Sequence, residues 1–202
     1  MQRSTSISAR VAALVVFVVA MASLRLQFDA SHAAIANSSV LQTLWAMAGY
    51  FTVLTNVVVA GTMAMVAMRW AIPAAVSLAV TVSIVMVGLV YHTMLASLFN
   101  PVGLAWWADQ GLHSAVPLLS LLWWIIFAPR QGSFRAVTTA LIWPAAYLLY
   151  AILRGSLTGF WPYPFLDVGN LGSARVAVNI LAMVLAFAGV AAAMIAVKRR
   201  LV

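Results

Sequence analysis

Long apolar runs alternate with short polar segments along the chain, and this alternation is the strongest signal in the sequence. Six of the runs approach the ~20 residues that a helix needs to cross a bilayer. Short connections after the second and fourth runs predict antiparallel neighbours. The pattern predicts an all-α integral membrane protein, a single domain over residues 1–202 folded as a six-helix transmembrane bundle. The predicted spans are 9–24, 43–68, 72–97, 108–127, 134–153 and 174–197.

Composition supports a membrane protein and narrows its chemistry. The chain is 65% hydrophobic and 7% charged, which excludes a soluble domain of this size. It contains no cysteine, so disulfides, thiol nucleophiles and thiolate metal sites are excluded. Three histidines and three acidic residues, all of them aspartate, leave little material for a metal centre. We therefore expect neither a bound metal nor a cofactor.

The distribution of charge predicts the orientation. An even number of spans puts both termini on one side, and most of the basic residues fall on that side. By the positive-inside rule both termini are then cytoplasmic, in a multipass protein of the cell inner (plasma) membrane. The net charge of +8 reflects this topology and contact with anionic membrane lipids, so no nucleic acid is expected as a partner. The cytoplasmic set is Arg3, Arg10, Arg69, Arg130, Arg135, Lys198, Arg199 and Arg200, against Arg25, Arg154 and Arg175 opposite.

The first span is the shortest and allows two interpretations. Ala20-Met21-Ala22 resembles a signal-peptidase site, which would make the segment a cleaved leader. The alternative, which we favour, is a short membrane span that continues to Gln27.

A polar face interrupts the second span. Thr52, Thr55 and Asn56 are spaced i, i+3 and i+4, so a helix places all three on one side. In hydrocarbon such a face must contact protein or a water-filled cavity. Thr52 is expected to lie about eight residues, or about 12 Å at 1.5 Å per residue, below the outer end of the span.

Further polar residues fall at a similar depth. His92, His113, Arg175 and Asn179 all lie in the outer half of the predicted bundle. Ionisable groups within a membrane are costly and mark candidate functional sites. Either histidine alone could equally form a structural hydrogen bond between helices. Their shared depth with the face that carries Thr52 favours a site.

Two residues near His113 bear on this candidate. Pro117 removes the helical hydrogen bond to the His113 carbonyl, which predicts a kink and a free acceptor beside a wet pocket, unless the proline only packs. Asp109, one turn before His113, has two interpretations: a partner that orients the imidazole, or a solvated acid favoured by the helix dipole. The solvated acid is the preferred interpretation.

The segment 158–167 is the least generic stretch of the chain. Its two prolines and four aromatic residues predict a stiff amphipathic segment that dips into the bilayer and covers a cavity. Tyr163 within it is expected to support substrate binding. Gly169 and Gly172 then allow a tight turn into the last span.

Three motifs occur in order along the chain: Phe51-Thr52 with Thr55-Asn56, Gly111-Leu112-His113 with Val116-Pro117, and Thr158-Gly159, Trp161 and 163–167 with Gly172-Ser173-Ala174-Arg175. They resemble the motifs of the androgen-induced protein and androgen-dependent TFPI-regulating protein family and its six-span bacterial relatives. The resemblance covers most of spans two to six. The chain departs from the animal proteins in the position of Pro117, in a shorter connection before the fourth span, and in Thr55, which replaces an acidic residue.

The resemblance implies a multipass threonine hydrolase that acts on fatty acid esters of hydroxy fatty acids or similar lipid esters. It implies Thr52 as the nucleophile and His113 as the general base, on the non-cytoplasmic side. Asn56 and His92 are candidate oxyanion donors because of their depth. Arg175 is expected to hold the carboxylate of an amphiphilic substrate. The remaining candidates for substrate binding or support are Thr55, Asp109, Tyr163 and Asn179.

Other classes of protein use similar features. The main alternative is a non-catalytic lipid-binding or assembly protein that holds an acyl chain in the same pocket. A transporter is less favoured, because the sequence shows no strong internal duplication and no charge near the bilayer centre. A haem carrier would use His92 and His113 as ligands.

Overall fold

The computed structural model describes residues 6–35, 37–129 and 133–200, which form helices joined by short turns, without any strand. Most of the chain in those ranges is helical, as its apolar composition requires in a bilayer. The α-helices are α1 (Ile7–Ala34), α2 (Val40–Met47), α3 (Phe51–Ala67), α4 (Ala74–Val90), α5 (Leu104–Gln110), α6 (Val116–Phe127), α7 (Ala136–Thr158), α8 (Val168–Leu171) and α9 (Ser173–Arg200).

Among the described residues, five helical segments are long and apolar enough to cross a membrane, and α2 with α3 make a sixth if that bent pair is one span. The prediction of an all-α membrane protein is confirmed at this level. Most predicted span limits lie within a few residues of those observed. The exception is α1, which is 28 residues long and continues unbroken through Ala20-Met21-Ala22.

The second predicted span is not one continuous helix, so that prediction is wrong. α2 and α3 meet at an angle of 97°. At the bend, a Cβ atom on Gly49 would lie 2.5 Å from the Phe160 ring and 3.1 Å from Arg154 Nη1, so glycine permits this close approach. As a consequence Thr52 lies in the first turn of α3 rather than about 12 Å along a longer helix.

The core lies between α1, α3, α4 and α6. α1 contributes a face of small residues, Ala9, Ala13 and Ala20, which are fully buried and let it pack closely against α3. α4 is the central helix, since 61% of its apolar stretch is buried, whereas the corresponding share is 22% in both α7 and α9. The outer helices expose large apolar side chains, as a lipid-facing surface does.

Two π-helical turns face each other across the bundle. The first π-turn, Tyr91–Leu95, follows α4, and the second π-turn, Gly111–Ala115, lies between α5 and α6. They meet where the rings of Tyr91 and His113 stack with their centroids 3.8 Å apart. Because π-turns occur frequently at functional sites, this pair directs attention to the residues they carry.

The His113 carbonyl does not face a wet pocket, so that part of the prediction from Pro117 is wrong. The Val116 amide donates to the Gly111 carbonyl, which gives the π-turn, and Pro117 is buried. A Cβ atom on Gly88 of α4 would lie 3.0 Å from the His113 carbonyl oxygen. The carbonyl therefore packs against α4, where glycine leaves the room.

The two ends of the bundle differ. At one, the capped end, Arg10 Nε donates to the Ala67 carbonyl at the end of α3, at 3.0 Å. Lys198 Nζ donates there to the carbonyls of Trp124 and Ile125 near the end of α6, at 2.9 and 2.6 Å. At the other, the bend end, lie the α2–α3 bend, both π-turns and the aromatic loop (residues 159–167).

Candidate active site

Asp109 orients His113 at the bend end. Nδ1 of His113 lies 3.0 Å from Oδ1 of Asp109, one turn earlier in the chain. Asp109 is 9% exposed, so the preferred prediction of a solvated acid is wrong and the orienting interpretation applies. With Nδ1 directed at a carboxylate, Nε2 is the nitrogen left to act as a base.

Tyr91 completes this arrangement and was missed from the sequence. Its hydroxyl donates to Asp109 Oδ2 at 2.7 Å, while its ring stacks on His113. Gln110 Nε2 also donates to Oδ2, at 3.3 Å. Both carboxylate oxygens are thus engaged, which holds the carboxylate and the imidazole in one orientation. The sequence signal that could have identified Tyr91 is its position next to His92, at the same depth as the other predicted site residues.

His92 does not take the role expected of it. Its side chain is exposed, and Nε2 lies 3.0 Å from the Ser114 hydroxyl on the second π-turn. Its ring packs edge-on against Tyr91, which separates it from His113. Neither His92 nor His113 lines the cavity described next, and the exposed ring of His92 gives no support to its predicted role as an oxyanion donor.

Thr52 lies at the wall of an apolar cavity of about 310 Å³, a volume at the lower end for small-molecule sites. The walls come from α3, α4, the first π-turn, α7, α9 and the aromatic loop. Among the described residues that line it, hydroxyl groups belong to Thr52, Tyr147 and Tyr163, and the remaining side chains are apolar. The cavity therefore has hydrocarbon walls and one polar region.

The aromatic loop covers this polar region, as the sequence predicted for a cavity. The Thr52 amide donates to the Tyr163 hydroxyl at 3.4 Å, and Tyr163 stacks on Phe165 with centroids 5.2 Å apart. Asn179 Nδ2 donates to the Phe165 carbonyl at 2.9 Å, so Asn179 holds the loop on α9. Arg175 is exposed and lies outside the cavity lining, which gives no support to its predicted role.

The rest of the polar face on α3 contacts protein, as predicted, but its members have different partners. Thr55 accepts a hydrogen bond from Trp143 Nε1 of α7 at 3.0 Å. Asn56 Nδ2 donates to the carbonyls of Thr52 and Leu112, at 2.9 and 3.4 Å. Because both of its N–H groups are engaged, Asn56 is not an oxyanion donor.

In the part of the chain that the structure describes, no hydrogen bond joins Thr52 to His113. Two connections relate them. Asn56 bridges the Thr52 carbonyl to Leu112, the residue before His113. Tyr91, which stacks on His113, belongs to the same cluster of buried side chains as Tyr163. Proton transfer between the two would therefore need a bridging water or a small movement on substrate binding.

Like Tyr91, Arg154 was not predicted to belong to the site; the sequence predicted only that it lies on the non-cytoplasmic side. It is 8% exposed, and its Nη1 donates to the Tyr150 hydroxyl at 2.8 Å. Its guanidinium lies 4.3 Å from the Trp45 ring centroid and 4.8 Å from that of Phe160. Arg154 thus holds α2, α7 and the aromatic loop together through aromatic faces.

Comparisons with known proteins add no family. No family model matches the chain, and no match is found among curated proteins or among solved structures. The family resemblance of the three motifs therefore stays a prediction.

Proposed function

We propose that this protein is an intramembrane threonine hydrolase that cleaves lipid esters, such as fatty acid esters of hydroxy fatty acids. Thr52 is the nucleophile and His113 the general base. The observation that carries the proposal is that Thr52, in the hydroxyl-bearing region of an apolar cavity, is linked through Asn56 to Leu112, the residue before an oriented base, His113 with Asp109. Ester hydrolysis within a bilayer requires these two features together.

The proposed topology has six spans, with α2 and α3 counted as one bent span and both termini in the cytoplasm. The excess of basic residues near the capped end supports this orientation. The bend end and its cavity then face the non-cytoplasmic leaflet of the plasma membrane, where a lipid ester can enter between the helices.

In the proposed reaction, Nε2 of His113 takes the proton of the Thr52 hydroxyl as Oγ1 attacks the ester carbonyl carbon. The alcohol portion leaves with that proton, and the acyl group stays on Thr52. Water, deprotonated by His113, then attacks the acyl-threonine, and the fatty acid is released as Thr52 Oγ1 takes that proton from His113. Asp109 and Tyr91 keep the imidazole in the tautomer that these steps need.

The test is labelling of the purified protein with a fluorophosphonate probe, together with turnover of a long-chain ester in detergent. Thr52→Ala is expected to abolish labelling and turnover, because the attacking oxygen is gone. His113→Ala is expected to lower the rate by about 10²–10⁴-fold, the usual contribution of a general base. Labelling that persists in both variants would remove the hydrolase assignment.

Thr62→Ala is the matched control. Thr62 lies on the same helix, and its hydroxyl donates to the Val58 carbonyl within α3 at 2.8 Å. Loss of that hydroxyl is expected to leave labelling and turnover at the wild-type level. An equal loss in Thr62→Ala would indicate damage to α3 rather than loss of a nucleophile.

The second candidate is a lipid-binding protein without catalysis. The apolar cavity favours it on its own, since such a volume accepts an acyl chain whether or not chemistry follows. It predicts that intact lipid co-purifies with the protein and that no ester is turned over, with Thr52→Ala binding the lipid as well as the wild type.

A further inference from the structure

The first turn of α3 contains backbone donors without good acceptors. The amides that open a helix have no intrahelical partner, and α3 starts after Tyr50, whose side chain provides no cap. The Thr52 amide reaches the Tyr163 hydroxyl at 3.4 Å, longer than the usual range for such bonds. If the Thr52 amide donated instead to a better-placed oxygen, little hydrogen-bond energy would therefore be lost.

Tyr163 supplies a second donor at the same point. Its side chain is 9% exposed, and its hydroxyl accepts the bond from the Thr52 amide. Its polar side-chain neighbours include the hydroxyls of Thr52 and Tyr147, so its proton can turn from a hydroxyl to a stronger acceptor such as a carbonyl oxygen. Burial raises the pKa of the phenol above its ordinary value, which keeps that proton in place.

These donors lie at the polar region of the apolar cavity. Thr52 and Tyr163 both line it, and no charged side chain appears among the described residues of its wall. A free carboxylate there would lack a cation and would be costly to bury. A neutral carbonyl oxygen fits two hydrogen-bond donors, and its alkyl chain fits the hydrocarbon walls.

We propose that the Thr52 amide and the Tyr163 hydroxyl bind the carbonyl oxygen of an acyl ester whose alkyl chain occupies the cavity. When Thr52 Oγ1 bonds to the carbonyl carbon, the π electrons of the carbonyl move onto this oxygen, and the same donors stabilise the oxyanion. The oxyanion step rests on the proposed hydrolase function. Recognition of the carbonyl does not, because it can be measured without turnover.

The binding test compares a long-chain methyl ester with the alkyl ether of the same length, which lacks only the carbonyl oxygen. Both displace a fluorescent alkyl probe from the purified full-length protein in detergent. The wild type is expected to prefer the ester about tenfold, as one or two net hydrogen bonds imply. Tyr163→Phe is expected to remove most of this preference while it still binds the ether normally.

Two variants serve as controls. Tyr50→Phe removes the hydroxyl of an exposed neighbour whose ring packs edge-on against Tyr163, and it is expected to keep the preference. Thr52→Ala removes the proposed nucleophile but keeps the amide, so it is expected to keep the preference without turnover. The carbonyl stretch of an isotope-labelled ester, expected at lower frequency in the wild type than in alkane solvent, needs no variant.

Equal affinity of the wild type for ester and ether, or a preference unchanged in Tyr163→Phe, would overturn the proposal, as would an unshifted carbonyl stretch. A wild-type preference without turnover of any ester would remove the hydrolase and leave the carbonyl site standing. If turnover is present, Tyr163→Phe is expected to lower kcat about 10²-fold and to raise KM by up to about tenfold, because it loses both oxyanion stabilisation and carbonyl recognition. A rise in KM alone would overturn the oxyanion role and leave only carbonyl recognition.

Discussion

The two ends of the bundle each bury a basic side chain, but they stabilise it differently. At the capped end Lys198, 2% exposed, donates to two backbone carbonyls at 2.9 and 2.6 Å. At the bend end Arg154, 8% exposed, donates to the Tyr150 hydroxyl and lies among aromatic rings, while its Nε finds no acceptor among the described residues.

The difference indicates that the two ends have separate roles, one in stability and the other in ligand binding. The capped end satisfies backbone acceptors at the ends of α3 and α6, which fastens the helices to one another. The bend end keeps donors that protein groups satisfy poorly, at the first turn of α3 and on Tyr163. We therefore expect mutations at the capped end to change mainly stability, and mutations at the bend end to change mainly ligand recognition.

Removal of the capping ammonium should give the largest loss of stability. Lys198→Met leaves two carbonyls of α6 without this charged donor, and we expect the free energy of unfolding to fall by about 3 kcal/mol. Titration with a denaturing detergent measures it. The control Arg199→Met, at an exposed neighbour over the Phe134 ring, should cost under about 1 kcal/mol. Equal losses would contradict the stabilising role of the two Lys198 hydrogen bonds.

A substitution at the first residue of the second π-turn, Gly111, should give the next largest loss of stability. A Cβ atom on Gly111 would lie 2.7 Å from the Ser23 Cβ of α1, so Gly111→Ala should destabilise by about 2 kcal/mol through overpacking. The double variant Gly111→Ala with Ser23→Gly removes the clash and should recover much of the loss. Additive losses in the double variant would show that the clash is not the cause.

Truncation of the bend-end cation should cost less than loss of Lys198. Arg154→Met loses one hydrogen bond and the contacts with Trp45 and Phe160, but it also removes a charge that is costly to bury. We expect a loss of about 1 kcal/mol in the same detergent titration. A loss as large as that in Lys198→Met would show that both ends are stabilised equally.

The smallest effect should be a pH dependence of the free energy of unfolding that is due to Tyr163. Its raised pKa means that the folded state favours the protonated phenol, so this contribution is complete below about pH 10 and is lost as the pH rises further. Between pH 8 and 10.5 the stability difference between wild type and Tyr163→Phe should shrink by about 0.8 kcal/mol. A constant difference would contradict burial of the phenol.

Hydropathy was sufficient to predict the helical class and most span limits, because an apolar run of this length has few alternatives in a bilayer. It did not predict the α2–α3 bend. That bend depends on close contact of Gly49 with Phe160 and Arg154, which are distant in sequence. Hydropathy averages over such contacts, so the whole run appeared as one helix.

Depth along the helices predicted part of the candidate site. It brought Thr52, His113 and Asn179 to one end of the bundle, where the structure also has them. Depth does not specify the direction in which a side chain points around its helix axis. His92 and Arg175 therefore have suitable depth but are exposed, and Tyr91 went unnoticed because its role depends on stacking between two π-turns.

The π-turns carry a consequence for how this protein tolerates insertions and deletions. Each holds one residue more than an α-helical turn of the same span, so loss of a single residue would restore regular winding. Because the extra residue is accommodated within the turn, the helix on either side would keep its orientation, and only the residues of the turn itself would shift. The direction of His92 or His113 is therefore governed by residue count, and a shortened turn would misdirect the imidazole even though the histidine is retained.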